Sequence, residues 1–221
     1  MNNSQELVEF SAGDVPVRGY LHKPTVSGAD GLILTHGAGA NCTALLLVAL
    51  AEKFCASGFT VFCCDLPFRQ SRPSGPPPRG SAEKDQEGLR AAVDYMRRRV
   101  SGRVFLGGHS YGGRQASMLA ASEAGLVEGL LLLSYPLHPP QRPGELRTAH
   151  FARLQTPALF VSGSRDGFGT VVEMEAALKL VAARTELLIV AAAGHELMTK
   201  RNRDELPQMV MEGFSSFFPV H

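Results

Sequence analysis

The sequence lacks most of the features that would fix a function class at once. It has no excess of charge. Its 22 Lys+Arg and 21 Asp+Glu leave a formal net charge of +1, so no global attraction to nucleic acid or to a membrane surface is expected. Its four cysteines form neither a C-x-x-C nor a zinc-like spacing, so no metal site is expected. Cys63 and Cys64 are neighbours in an expected strand and point to opposite faces, which keeps them from bonding each other. The longest apolar stretch, Ala44 to Ala51, is far too short to span a bilayer. The opening run Met1-Asn2-Asn3-Ser4-Gln5-Glu6 shows no basic segment followed by an apolar one, the pattern of a secretory leader. Reduced cysteines in a cytoplasmic protein are the resulting expectation. No internal repeat is present.

What remains is an ordinary globular composition. The 221 residues are 44% hydrophobic and 19% charged, enough for one domain, 1–221, with a substantial core. Strand-like and helix-like apolar runs alternate, which argues for a mostly parallel sheet flanked by helices. Leu7–Phe10 and Val15–His22 read as an antiparallel hairpin across Ala12-Gly13-Asp14. Further strands are expected at Gly31–Thr35, Thr60–Cys64, before Ser110, and at Gly129–Ser134, Pro157–Ser162 and Glu186–Ala191. Helices are expected over Thr43–Ala56, from Ser81 to Arg99, from Ser110 to Ser122, and around Leu206–Phe217. Arg97-Arg98-Arg99 closes one of them, where cations complement the helix dipole.

The segment Gly107-Gly108-His109-Ser110-Tyr111-Gly112-Gly113 carries the most chemistry. It follows Val104-Phe105-Leu106 and precedes a run of small residues, so its G-x-S-x-G stands between a strand and a helix. That setting defines a nucleophile elbow, a sharp turn that lifts the serine hydroxyl clear of the sheet. The competing reading, Ser110 as a simple helix N-cap, does not need the surrounding glycines. Two partners follow in the order Ser, Asp, His. Asp166 stands just past the strand Pro157–Ser162, and His195 in the loop after Glu186–Ala191, both at strand ends where open α/β sheets display functional groups. Asp166 in an Asx turn and His195 as a solvated loop residue are the plain readings of each alone.

A fourth part precedes them. Leu32-Ile33-Leu34-Thr35 leads into His36-Gly37-Ala38-Gly39-Ala40, a loop placed to supply one backbone N–H of an oxyanion hole. Ala38 is the first choice of donor, with Gly37 and Gly39 close behind, and Tyr111 supplies the other N–H. His36 is read as ordering this loop, since His195 already fills the position of the base. Two proline-rich segments, Leu66–Gly80 and Pro136–Gly144, follow strand ends and should border the site. Arg69, Arg72, Arg114, Arg142 and Arg147 lie in or next to such segments. They could recognise a carboxylate or phosphate; the competing reading is that they are surface residues or brace the loops. His138 could likewise line the pocket or be structural.

These motifs together, with Tyr135-Pro136-Leu137-His138-Pro139-Pro140 and Arg165-Asp166-Gly167-Phe168-Gly169, resemble the α/β-hydrolase superfamily. Within it they resemble the small hydrolase-like family of testis-expressed protein thirty and of subunit three of the non-specific lethal chromatin complex, with its bacterial members. The resemblance runs from Gly31 to the C-terminus. It implies an α/β-hydrolase fold with an eight-stranded, mostly parallel sheet. Between Pro136 and Thr156 there is room for one short helix and no separate cap domain, so an open site is expected. Members of that family often carry Met after the nucleophile where this chain has Tyr111. Dienelactone hydrolases are similar in size but use a cysteine nucleophile, so their activity is not implied. The expected function is a serine hydrolase or carboxylesterase acting through Ser110, Asp166 and His195 on a small-molecule acyl substrate, with no cofactor. Perhydrolysis and lyase chemistry would use the same residues. A non-catalytic interaction module on a hydrolase fold is the alternative from another class.

Overall fold

In the computed structural model, which describes residues 4–26 and 28–219, eight strands make one sheet in the order β1-β2-β4-β3-β5-β6-β7-β8. β1 (Ser4–Ala12) and β2 (Val15–Lys23) form the antiparallel hairpin, and β2 also runs antiparallel to β4 (Thr60–Asp65). The other neighbours, β3 (Gly31–Thr35), β5 (Val104–His109), β6 (Gly129–Leu133), β7 (Ala158–Gly163) and β8 (Thr185–Val190), are parallel. This is the α/β-hydrolase fold.

The central strands are near-continuous apolar runs because both faces of the sheet are covered. Successive residues serve opposite faces. Ile33, Leu106, Leu130 and Leu132 pack with α3 (Ala82–Arg97) and α4 (Tyr111–Ser122). Leu32, Leu34, Leu131 and Leu133 pack with α1 (Leu45–Ala56) and α6 (Leu206–Phe217). The C-terminal ends of the parallel strands converge on one edge, and the loops leaving that edge carry the chemistry. Among the described residues no helix is long and apolar enough to cross a membrane.

Three local differences from the sequence reading have physical causes. The proline-rich segment Leu66–Gly80, where no helix was expected, holds α2 (Pro67–Ser71), which opens on Pro67, whose fixed φ and missing N–H suit a first helical position. A further helix, α5 (Val171–Leu178), starts at Thr170 with a full capping box, the Thr170 hydroxyl on the Glu173 N–H and the Glu173 carboxylate on the Thr170 N–H. T-x-x-E is a readable start signal. α1 begins at Leu45 and not at Thr43, because the Asn41 side chain takes both the N–H and the hydroxyl of Thr43 in a local turn. Between β6 and β7 the only helical turn is a single 3-10 turn, Phe151–Arg153, so no cap domain stands over the strand ends.

Candidate active site

Ser110 connects β5 to α4 with φ 51° and ψ −115°, a strained conformation for a residue with a side chain. Two contacts show how the turn closes. A Cβ on Gly112 would lie 2.5 Å from the His36 carbonyl oxygen, and one on Gly108 would lie 2.8 Å from the Gly112–Gly113 backbone. The Ser110 N–H donates to the Leu133 carbonyl at 2.8 Å, tying the turn to β6. The serine side chain caps nothing in α4, so its hydroxyl is free for another partner.

That partner is His195, whose Nε2 lies 2.8 Å from Ser110 Oγ. On the other side of the ring, Nδ1 lies 2.9 and 3.0 Å from the two Asp166 oxygens. A carboxylate only accepts, so Nδ1 carries the proton and Nε2 is left to accept from the Ser110 hydroxyl. Asp166 is 4% exposed. Its Oδ1 also accepts the Phe168 N–H at 2.8 Å, so the Asx turn and the contact to His195 coexist and fix the carboxylate. The Phe168 ring stacks on His195, centroids 4.0 Å apart and planes 27° apart. His109 Nε2 donates to the His195 carbonyl at 2.9 Å. Burial lowers the pKa of His109, which favours the neutral ring. Sequence reasoning missed both Phe168 and His109 as supports of His195. The signals were the Arg-Asp-x-Phe-Gly stretch and the variable position of the elbow itself.

The loop after β3 is gripped from two sides. His36 is fully buried. Its Nδ1 donates to the Gly37 carbonyl at 2.8 Å while its Nε2 accepts the Leu66 N–H at 3.1 Å, a pattern only neutral imidazole satisfies. Burial pushes its pKa down accordingly. Arg69 donates to the carbonyls of Ala38, Ala40, Arg72 and Gly75. In a trans peptide the C=O of one residue and the N–H of the next point in opposite directions. With the Gly37 carbonyl held by His36, the Ala38 N–H faces away from that ring. With the Ala38 carbonyl held by Arg69, the Gly39 N–H faces away from the guanidinium. Tyr111 is the first residue of α4, so its N–H has no intrahelical acceptor. Its phenol is anchored on Asp85 at 2.8 Å.

Ala38, Gly39, Ser110, Tyr111 and His195 line a common cavity of about 630 Å³, and Gly37 borders it. Pro77 and Pro136 bring both proline-rich segments to its wall. Residues 28–217 match a family described as alpha/beta hydrolase domain. The chain belongs to that family. Among solved structures it is similar to a dienelactone hydrolase from Anabaena variabilis ATCC 29413, with a TM-score of 0.76 at 21% identity, covering 97% of this chain and 98% of that one. It is also similar to Est1E from Butyrivibrio proteoclasticus, with a TM-score of 0.78 at 17% identity, covering 97% and 99%. A third is an esterase of Pyrococcus furiosus, with a TM-score of 0.77 at 18% identity, covering 97% and 92%. At these identities the likeness is one of fold. Among curated proteins, 120 residues are 29% identical to quorum-quenching protein AidA of Acinetobacter baumannii (strain MDR-ZJ06). The match takes in 52% of this chain and only 39% of that relative's length.

In this alpha/beta hydrolase two candidate substrate contacts, Arg69 and His138, take the structural reading. Arg69 is 3% exposed and spent on loop carbonyls, so it braces the loop and does not line the cavity. Its chemistry at this spacing reads the same from sequence whether the acceptor is a ligand or a carbonyl. His138 is 4% exposed, with Nδ1 donating to the Pro139 carbonyl and Nε2 facing Glu173 at 3.4 Å; it ties the β6 loop to α5. Arg114 and Arg147 do line the cavity. Arg69→Met is expected to cost about 3 kcal/mol of stability and to lower kcat by about tenfold through a loosened Ala38–Gly39 loop. Urea unfolding and steady-state kinetics on the same preparation check both; an unchanged kcat would remove the loop argument.

A second Ser–His pair lies behind α4. Ser117 Oγ is 2.8 Å from His150 Nε2, but both residues are buried and neither borders the cavity. No carboxylate hydrogen-bonds His150 among the described residues. Burial, then the nearby Arg114, pushes the His150 pKa down to about 4. The folded value lies below the unfolded one, so the unfolded chain binds more protons between pH 6.5 and 4. Stability from this group is present above about pH 6.5 and is lost as pH falls toward about 4, by up to about 3 kcal/mol. The expected result is that His150→Leu flattens the fall in unfolding free energy across that window relative to the parent. Denaturant titrations at both ends measure it.

Proposed function

We propose that this alpha/beta hydrolase is a serine hydrolase that cleaves an ester of a small acyl compound. Ser110 is the nucleophile, His195 the general base, and Asp166 the group that holds His195 in the right tautomer. The observation that carries the reading is the 2.8 Å contact between His195 Nε2 and the hydroxyl of a serine held at φ 51° with no capping role. Ser110 Oγ attacks the carbonyl carbon as its proton passes to His195 Nε2. The developing oxyanion takes the N–H groups of Ala38 and Tyr111, each worth about 3–4 kcal/mol in the transition state. His195 returns the proton to the departing alcohol, leaving an acyl group on Ser110. A water, deprotonated by His195, then attacks the acyl carbonyl, frees the acid and restores Ser110.

Two finer placements go with the proposal. The Tyr-Pro-Leu-His-Pro-Pro and Arg-Asp-x-Phe-Gly stretches support membership of the small family of testis-expressed protein thirty and non-specific lethal complex subunit three. All four cysteines are buried and free, which supports a reducing, cytoplasmic setting. Hydrolysis of a panel of p-nitrophenyl esters of increasing acyl length tests the activity. Turnover abolished by Ser110→Ala is expected. Turnover by neither the parent nor the variant would favour a non-catalytic module.

A further inference from the structure

Arg114 and Arg147 approach the same cavity from different elements. Arg114 sits four residues after Ser110 on α4, its N–H donating to the Ser110 carbonyl at 3.0 Å. Both residues line the cavity. The guanidinium therefore belongs to the nucleophile's own surroundings. Its Nε is buried and has no hydrogen-bond partner. Arg147 comes from the β6–β7 segment, and its backbone is pinned twice: its N–H donates to the Leu137 carbonyl at 2.8 Å, and its carbonyl accepts the Tyr135 hydroxyl at 2.6 Å. One Nη1 hydrogen of Arg147 goes to the Pro136 carbonyl.

Neither arginine is paired with an acid among the described residues. Other groups near Arg114 include Tyr111, Ser117, His150 and Tyr135, whose phenol its guanidinium meets; none of them is anionic at neutral pH. Glu145, near Arg147, is taken by Arg142. The one carboxylate on the cavity wall is the exposed Glu196, next to His195. The cavity thus has two cations on one wall and its single acid beside the base. Burial and then the charge of Arg114 lower the pKa of Arg147, as expected of two cations that face the same space without a counter-ion.

We propose that Arg114 and Arg147 form a subsite for a carboxylate carried by the ester substrate. Resting on the hydrolase reading above, this makes the substrate class carboxylate-bearing esters. Guanidinium forks match carboxylate oxygens in geometry as well as charge. Glu196 repels the same anion, so the charged end of the substrate is directed to the arginine wall and the ester carbonyl toward Ser110.

Two ester pairs, matched in shape and differing in charge, test the subsite. The p-nitrophenyl half-ester of glutarate against p-nitrophenyl valerate places the carboxylate on the acyl side. Para-acetoxybenzoate against para-acetoxybenzamide places it on the alcohol side. At least one charged member is expected to exceed its neutral match in kcat/KM by about tenfold or more. Arg147→Leu is expected to remove most of that ratio, and Arg147→Lys to restore part of it. A ratio near one for both pairs overturns the subsite while leaving the hydrolase reading intact. A readout without turnover separates the two claims. Glutarate binding to Ser110→Ala, followed by calorimetry, is expected to weaken by about tenfold in the Arg147→Leu background. Binding that depends on Arg147 in a protein that cleaves no ester would keep the subsite and sink the hydrolase reading. Absence of binding overturns the subsite.

Discussion

Ser110→Ala is expected to lower kcat on any ester the protein cleaves by about 10⁴-fold or more, with little change in stability. The Ser110 side chain makes no capping contact in α4, and its one side-chain hydrogen bond is to His195 Nε2. Alanine therefore removes the nucleophile and leaves the turn in place, including the Ser110 N–H on the Leu133 carbonyl, a backbone contact. His195→Ala in the parent is expected to cost a similar factor, and the double variant little more than either single one. Groups that act in one step lose their combined effect once. Steady-state kinetics of the four proteins gives the comparison. Additive losses would mean that Ser110 and His195 act separately.

Asp166→Asn is expected to lower kcat by about 10⁴-fold while the protein stays folded. The reason lies in the two contacts of the carboxylate. Oδ1 accepts the Phe168 N–H at 2.8 Å, and Oδ2 stands 2.9 Å from His195 Nδ1. Asparagine satisfies the Phe168 N–H only with its carbonyl oxygen, which turns its NH₂ toward Nδ1. That ring nitrogen must then accept, and the ring proton moves to Nε2, facing Ser110 as a donor. A base that already carries its proton cannot take one from the serine. Asp166→Ala is expected to match the loss in kcat and also to destabilise the 166–168 turn. An Asp166→Asn enzyme within about tenfold of the parent in kcat would show that His195 does not depend on this tautomer.

The strand ends were legible because the central strands are buried on both faces and read as unbroken apolar runs between glycine and polar punctuation. Leu32-Ile33-Leu34 and Gly129–Leu133 could hardly be anything else, and their C-terminal ends locate the loops. The Ser110–His195–Asp166 contact was legible as an order of residues along three such ends. Arg69 and His138 were not. A buried arginine whose acceptors are four carbonyls has no signature in sequence that separates it from an arginine awaiting an anion. The distinction lies in loop conformation, which no local pattern encodes. Phe168 and His109 were obscured for a related reason. Each supports His195 through space, across a sequence separation that periodicity does not bridge. α5 was readable from Thr170 and Glu173, and α2 from Pro67, but short helices inside loops carry few periodic positions.

The second Ser–His pair, also 2.8 Å apart, has different surroundings. Among the described residues no carboxylate hydrogen-bonds His150, which does not line the cavity and is held neutral by burial. Ser110 differs: it is partly exposed at the C-terminal end of β5, lines the cavity, caps nothing, and meets a histidine oriented from behind by Asp166 and clamped by Phe168 and His109.

The central claim is that Ser110 is a nucleophile activated by His195. The most direct measurement is reaction of the folded protein with a fluorophosphonate, followed by intact mass and by mass mapping of the peptide that contains Gly107–Gly113. One phosphonyl group per chain is expected, on Ser110, and none on Ser110→Ala. Labelling of His195→Ala is expected to be slowed by about 10³-fold or more. A folded parent protein that takes up no phosphonyl group, or takes it up on Ser117, would contradict it.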